Sequence, residues 1–205
     1  MKTALKTHWE SIYMTKSPAE VSWTQDIPHL SLEFIRSFQL PKDSPIIDVG
    51  GGDSRLVDFL LKDGYTDVTV LDISAAAIER ARARLGGDGD KVAWIESDIL
   101  DFKPDRKYML WHDRAAFHFQ TTNESVNRYL EIIEKAVNGF AVIGTFSTCG
   151  PLKCSGLDIR QYDEDSLKST FEKRGFKPLS CKREDHITPS GNAQNFVFCG
   201  FQKKP

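Results

Sequence analysis

Little in this chain commits it to a specialised class. Its four cysteines, Cys149, Cys154, Cys181 and Cys199, show no Cys-x-x-Cys spacing. That excludes a zinc ribbon or a thioredoxin-type motif and leads us to expect reduced, unligated thiols and no metal site. No long apolar run is present, and the opening Met1-Lys2-Thr3-Ala4-Leu5-Lys6 lacks the apolar stretch of a secretory signal. A cytoplasmic protein without a membrane partner is therefore expected. Neither sign of charge dominates, with 29 Asp and Glu against 27 Lys and Arg. No basic field is implied, so a nucleic-acid partner is not expected. Repeats, low-complexity stretches and linkers are absent as well. A chain of 205 residues then reads as one domain, 1–205, working as a monomer or dimer and large enough for a central sheet covered by helices.

What the chain does contain is concentrated at residues 46 to 54, Ile-Ile-Asp-Val-Gly-Gly-Gly-Asp-Ser. An apolar strand runs straight into three glycines, which permit a tight turn and close backbone approach by a ligand. Helical spacing resumes at Leu56, Val57, Phe59, Leu60 and Leu61. A dinucleotide fingerprint starting at Gly50 would place its third glycine where Arg55 stands, so it fails, and the Gly-Lys-Ser/Thr of a phosphate-binding loop is missing too. The second strand, Val68 to Asp72, ends in an acid twenty residues past Gly52, the position from which a carboxylate chelates two ribose hydroxyls in a nucleotide-binding unit. Ser74 is a candidate N-cap for a helix from Ala75 to Leu85 that Gly86-Gly87 ends. A third strand, Val92 to Ile95, leads into Glu96-Ser97-Asp98-Ile99.

Asp48-x-Gly50-x-Gly52 resembles motif I of the class I S-adenosylmethionine (SAM) dependent methyltransferases, with Ser54 where that family often has a further glycine. The resemblance implies that Asp98 and the Ile99 amide hold the adenine. It implies a cofactor site made of Asp48, Gly50, Gly51, Gly52, Asp72, Ile73, Asp98, Ile99 and His112. Further strands at about 108–112 and 140–146, a helix at 123–137 and another from Asp163 to Arg174 continue the alternation. Two strands, about Lys177 to Ile187 and Gln194 to Gln202, then flank the turn sequence Thr-Pro-Ser-Gly-Asn. The expected fold is α/β. It has a Rossmann-like, seven-stranded, mostly parallel sheet, an antiparallel C-terminal strand and helices on both faces.

Residues 1–45 precede this core of 46–205. Leu30 to Phe38 reads as an amphipathic helix on the sheet, while Trp9, Tyr13 and Trp23 sit in polar surroundings without an evident helical pattern. In enzymes of the resembled class such a segment folds over the cofactor, so Trp9 and Trp23 are candidate lid contacts. The segment through Gln25 is expected to be mobile until cofactor binds. Aromatic faces suit a sulfonium cation. The fourth strand, Tyr108 to Trp111, is followed by His112-Asp113-Arg114-Ala115-Ala116-Phe117-His118. This polar cluster is expected at the carboxyl edge of the sheet, where open α/β sheets bind ligands. The string Trp111 to Phe117 resembles the stretch after strand four in thiopurine S-methyltransferases. Asp113, paired to Arg114, is the expected catalytic or acceptor-positioning acid. Arg160 and Tyr162, in a long loop after strand five, are further candidates.

The expected activity is SAM-dependent methylation of a small-molecule nucleophile, with a thiol among the candidates because it needs little base catalysis. A protein lysine acceptor would require a carboxylate or tyrosine near the nitrogen, for which Asp113 or Tyr162 would serve. A SAM-binding module without catalysis is the remaining alternative.

Overall fold

The computed structural model describes residues 2–204. Seven strands form one sheet in the order β3-β2-β1-β4-β5-β9-β8. They are β1 (Ile46–Val49), β2 (Val68–Asp72), β3 (Val92–Glu96), β4 (Tyr108–Arg114), β5 (Val137–Phe146), β8 (Phe176–Ile187) and β9 (Ala193–Lys203). The strands β1 to β5 pair in parallel, and β9 runs antiparallel between β5 and β8. A small ribbon, β6 (Lys153–Cys154) with β7 (Leu157–Asp158), lies in the stretch after β5 that reads from sequence as an irregular loop.

Helices cover both faces. On one, α2 (His29–Ser37) and α3 (Leu56–Lys62) bury Leu32, Phe34, Ile35, Leu56 and Leu60 against Ile46, Val70, Leu110 and Val142. On the other, α5 (Asn123–Ala136) and α6 (Glu164–Glu172) pack Tyr129, Ile133, Leu167 and Phe171 against Ile47, Trp111, Ile143 and Phe201. Neighbouring residues of β1 and β4 therefore go to opposite cores, as the two-residue period of a strand requires. The helix α4 (Ala75–Leu85) starts where expected, with the Ser74 side chain accepting from the Ala77 amide at 3.2 Å.

Three features depart from the sequence expectations. The first is α1 (Lys2–Thr15). Trp9 and Tyr13 are four residues apart and share one face of this helix, their ring centroids 6.4 Å apart. The second is that β4 does not stop at Trp111 but runs on through Arg114, which decides where each residue of the polar cluster points. The third concerns the thiols. Cys181 and Cys199 are directly opposite in the β8–β9 pair, with Cα atoms 4.2 Å apart, and form a disulfide, so the expectation of four reduced cysteines fails for this pair. The cause is strand register, which brings together residues 18 apart in the chain.

Candidate active site

The turn after β1 holds Gly50 at φ +67° and Gly52 at φ +36°. Close packing excludes larger residues here. A Cβ at Gly50 would come within 2.7 Å of Ala116 Cβ, and one at Gly52 within 2.6 Å of an Asp72 carboxylate oxygen. Arg84 of α4 braces the exit of the turn, bonding the Asp53 and Asp58 carboxylates and the Ser54 carbonyl. Arg84 is functional scaffolding that sequence reading left as an ordinary helix residue.

Beyond the carboxyl ends of β1 to β4 lies a cavity of about 490 Å³. Of the residues expected to hold cofactor, Trp9, Trp23, Asp48, Gly50, Gly51, Asp72, Ile73, Asp98, Ile99 and His112 line it. Gly52, in the same turn, is not in the lining. Asp72 is buried, and its carboxyl is pushed up to about 7, chiefly by desolvation, against the opposing hydrogen bond from the Ser74 amide at 2.8 Å. Such a carboxyl gains from hydroxyl donors that replace lost water. Asp98 accepts from the Leu100 amide at 2.9 Å and caps the short turn Ile99–Asp101. The narrow glycine turn, the under-solvated Asp72 and the flanking Asp98–Ile99 suit a ribose-bearing cofactor. Tyr13 also lines the cavity and was missed; its spacing from Trp9 was the available signal.

The polar cluster after Trp111 divides between the two sides of the sheet. His112 and Arg114 face the α2 side and line the cavity. His112 is buried between Asp48, 2.7 Å from its Nδ1, and Ser31 of α2, 2.9 Å from its Nε2. Asp113 faces α5 and is absent from the lining, so its expected place beside the acceptor is corrected. One carboxylate oxygen accepts from the amides of Ala116 and Phe117 at 2.9 and 3.0 Å. The other accepts from the Tyr129 hydroxyl at 2.6 Å. Burial pushes the Asp113 carboxyl up to about 6, opposed by these three donors. Their geometry makes Asp113 the brace of the bend at Ala115, which holds φ +71°, and so of the Ala115–Ala116 wall of the cavity. The expected Asp113–Arg114 pair does not form, because adjacent strand residues diverge.

His118 is also buried away from the lining. Its Nδ1 accepts from the Phe146 amide at 3.3 Å, and burial, reinforced by Arg114, lowers its pKa to about 3. Arg160 and Tyr162 lie outside the lining, whereas Cys154 of the small ribbon is in it. Burial raises the Cys154 thiol to about 11, so it is neutral at physiological pH.

Residues 2–25 roof the cavity. The α1 helix is tied to the α4 side by Glu10, which accepts from the Ser74 hydroxyl and the Ala76 amide, by the Lys6–Glu96 ion pair and by Arg80 donating to the Lys16 carbonyl at 2.6 Å. On the opposite side, Arg114 donates to the Trp23 carbonyl at 2.9 Å and His186 to the Ser22 carbonyl at 2.7 Å. Trp9 meets Trp23 and Phe119 edge-on, with centroids 5.6 and 5.2 Å away. Among the described residues no helix is long and apolar enough to cross a membrane.

Residues 46–138, which carry the glycine turn and the strands from β1 to β4, match the family model of a methyltransferase domain. These residues form a methyltransferase domain of the class I, SAM-dependent kind, with S-adenosylmethionine as its cofactor. The chain is similar to two mouse proteins, the eEF1A lysine and N-terminal methyltransferase and the EEF1A lysine methyltransferase 2. With the first it is 23% identical over 57% of this chain, and with the second 22% identical over 75%. It spans only 17% of the length of the first and 68% of the second. Its fold is shared by the 1,6-didemethyltoxoflavin-N1-methyltransferase of Burkholderia thailandensis, solved with bound 1,6-didemethyltoxoflavin and S-adenosylhomocysteine (SAH). The TM-score is 0.71 at 15% identity, covering 99% of this chain and 88% of that one.

Proposed function

We propose that this methyltransferase acts on a small molecule enclosed beside SAM under the N-terminal roof. The roof itself is the observation that carries the reading. A cavity of about 490 Å³ lies within the range of about 300–1,000 Å³ typical of small-ligand sites, and it must accommodate cofactor and acceptor together. A folded protein could present a side chain only if a roof tied down on two sides were lifted. In this reading Asp72 accepts from the ribose hydroxyls, Asp98 and the Ile99 amide hold the adenine, and the Gly50–Gly52 turn lets the cofactor approach the backbone. SAM supplies an electrophilic methyl on a sulfonium. The chain's own part is to hold the nucleophile in line and exclude water, with Trp9 and Trp23 as aromatic walls suited to a dispersed cation.

The titratable groups around the acceptor favour a nucleophile that needs no strong base. Asp113 and Tyr162, the candidates for accepting a proton from an amine, both lie outside the lining. His112 has both ring nitrogens engaged. A thiol, partly ionised near neutrality, fits such a site. The lysine methyltransferases among the similar proteins favour the second reading, a protein lysine acceptor. The two readings separate when the protein is incubated with methyl-tritiated SAM and a cell extract, followed by acid precipitation. Enzyme-dependent label in soluble products separated from SAM by chromatography is expected; transferred label confined to precipitated protein would replace this reading with the lysine one.

A further inference from the structure

Among the described residues, one cation in the cavity wall, Arg114, makes no ion pair with an acid. The Arg114 guanidinium lies over the Phe196 ring, 4.8 Å from its centroid, and its Nη1 donates to the Trp23 carbonyl at 2.9 Å. Its Nε and Nη2 are buried without a hydrogen-bond partner. These two nitrogens form one edge of the planar fork, the edge that matches the two oxygens of a carboxylate. The nearby acids do not reach it: Glu184 acts on Arg114 only through space and accepts from Gln25 at 3.2 Å, Asp48 binds His112, and Asp113 faces the other core. Cys154 is a neutral thiol, and His118 and His186, both near Arg114, have their pKa values lowered. Leaving two charged donors buried and unmatched is costly. Desolvation accordingly lowers the Arg114 pKa to about 10. Every local feature therefore calls for an anion from outside the chain.

Position says which anion. Arg114 pairs in register with Gly144 of β5, and its ring neighbour Phe196 is on β9. Asp72 and Asp98 follow β2 and β3, on the far side of β1. Arg114 thus belongs to the half of the cavity lined by Trp23, Phe119 and Cys154, away from the ribose and adenine residues. We propose that its Nε–Nη2 edge anchors a carboxylate carried by the methyl acceptor, so that the substrates are small carboxylic acids whose flat or apolar body packs against the cluster of Trp9, Trp23 and Phe119. This deepens, and rests on, the small-molecule reading. The carboxylate is the handle; the methyl goes to another nucleophilic atom of the same molecule.

The same chemistry could come from the amino-acid carboxylate of SAM itself, and the test separates the two sources. Protein saturated with SAH is titrated calorimetrically with benzoate and with its uncharged counterpart benzamide, for wild type, Arg114→Gln and Arg114→Lys. The expected result is a preference of about tenfold or more for benzoate in wild type, lost in both variants because lysine keeps the charge but not the fork. SAH affinity should fall by less than about tenfold in both variants, the part owed to the lost tie from Arg114 to the Trp23 carbonyl. Equal binding of benzoate and benzamide by wild type would overturn the proposal. So would a loss of tenfold or more in SAH affinity in both variants, which would assign the edge to the cofactor. Should the variants fail to fold, wild-type protein decides: benzoate, and not benzamide, must shift the Trp23 indole resonance of SAH-loaded protein, and its failure to do so overturns the proposal. A protein that takes up no SAH would instead remove the functional reading beneath it.

Discussion

The two halves of the cavity are built on different logic. At the ends of β2 and β3 the acids are held by backbone amides two residues on, Asp72 by Ser74 and Asp98 by Leu100. Around the end of β4, the contributing residues are held across the molecule. His112 depends on Ser31, Arg114 on Trp23, and the Ala115 bend on Tyr129 of α5 through Asp113. A site made of local turns is robust and general to its cofactor. A site made of long-range contacts can change its occupant when a distant element changes.

That contrast is tested most severely at Asp113. Replacing it with alanine leaves two amides and a phenol without an acceptor in a buried site, so stability should fall by about 3 kcal/mol or more. SAH affinity of the molecules that remain folded should change little; the checks are urea denaturation and calorimetry. A fully stable Asp113→Ala protein with abolished turnover would return this residue to the chemistry. In the local half, Asp72→Ala should weaken SAH binding by about 1–3 kcal/mol with little loss of stability. Unchanged affinity would mean that the ribose acid is misassigned.

The pH dependence sharpens the same point. The Asp72 carboxyl titrates near 7 in the free fold, above its ordinary value, because burial disfavours its charge. Its contribution to stability is therefore present below the unfolded carboxyl range and lost as pH rises through about 7. Ribose hydroxyls favour the ionised form. SAH affinity should consequently rise with pH by up to about tenfold per unit below 7 and level off above it, and Asp72→Asn should flatten the profile. A wild-type affinity independent of pH between 5 and 8 would contradict the assignment.

The smallest expected effect concerns the roof. Glu10 caps the amino end of α4 from α1, and Glu10→Ala should cost about 1 kcal/mol of roof closure. Hydrogen exchange over residues 8–25 should quicken in that variant and slow when SAM is added to wild type. Equal, slow exchange with and without SAM would make the segment a permanent arm.

Much of the local half was legible in the residues alone. Apolar runs ending in glycine or an acid encode strand, turn and ligand edge within a few positions, so Asp48, the glycine turn, Asp72 and Asp98 could be placed without any distant contact. The helix α1 was also encoded, in the four-residue spacing of Trp9 and Tyr13, but was obscured by its polar surroundings. Nothing nearby in sequence reveals that β4 continues through three polar residues. Their burial is made affordable by Asp48 and Ser31 on one side and Tyr129 on the other. Once the strand continues, its two-residue period sends Asp113 to one core and leaves His112 and Arg114 facing the cavity. The pairing of Cys181 with Cys199 likewise needs the register of β8 and β9. The sequence by itself determined the alternating α/β order and the glycine turn with the acids that end the next strands, because those depend on neighbours along the chain. Tertiary structure alone decided which polar residues after β4 line the cavity, because that depends on which face each one shows and what packs against it.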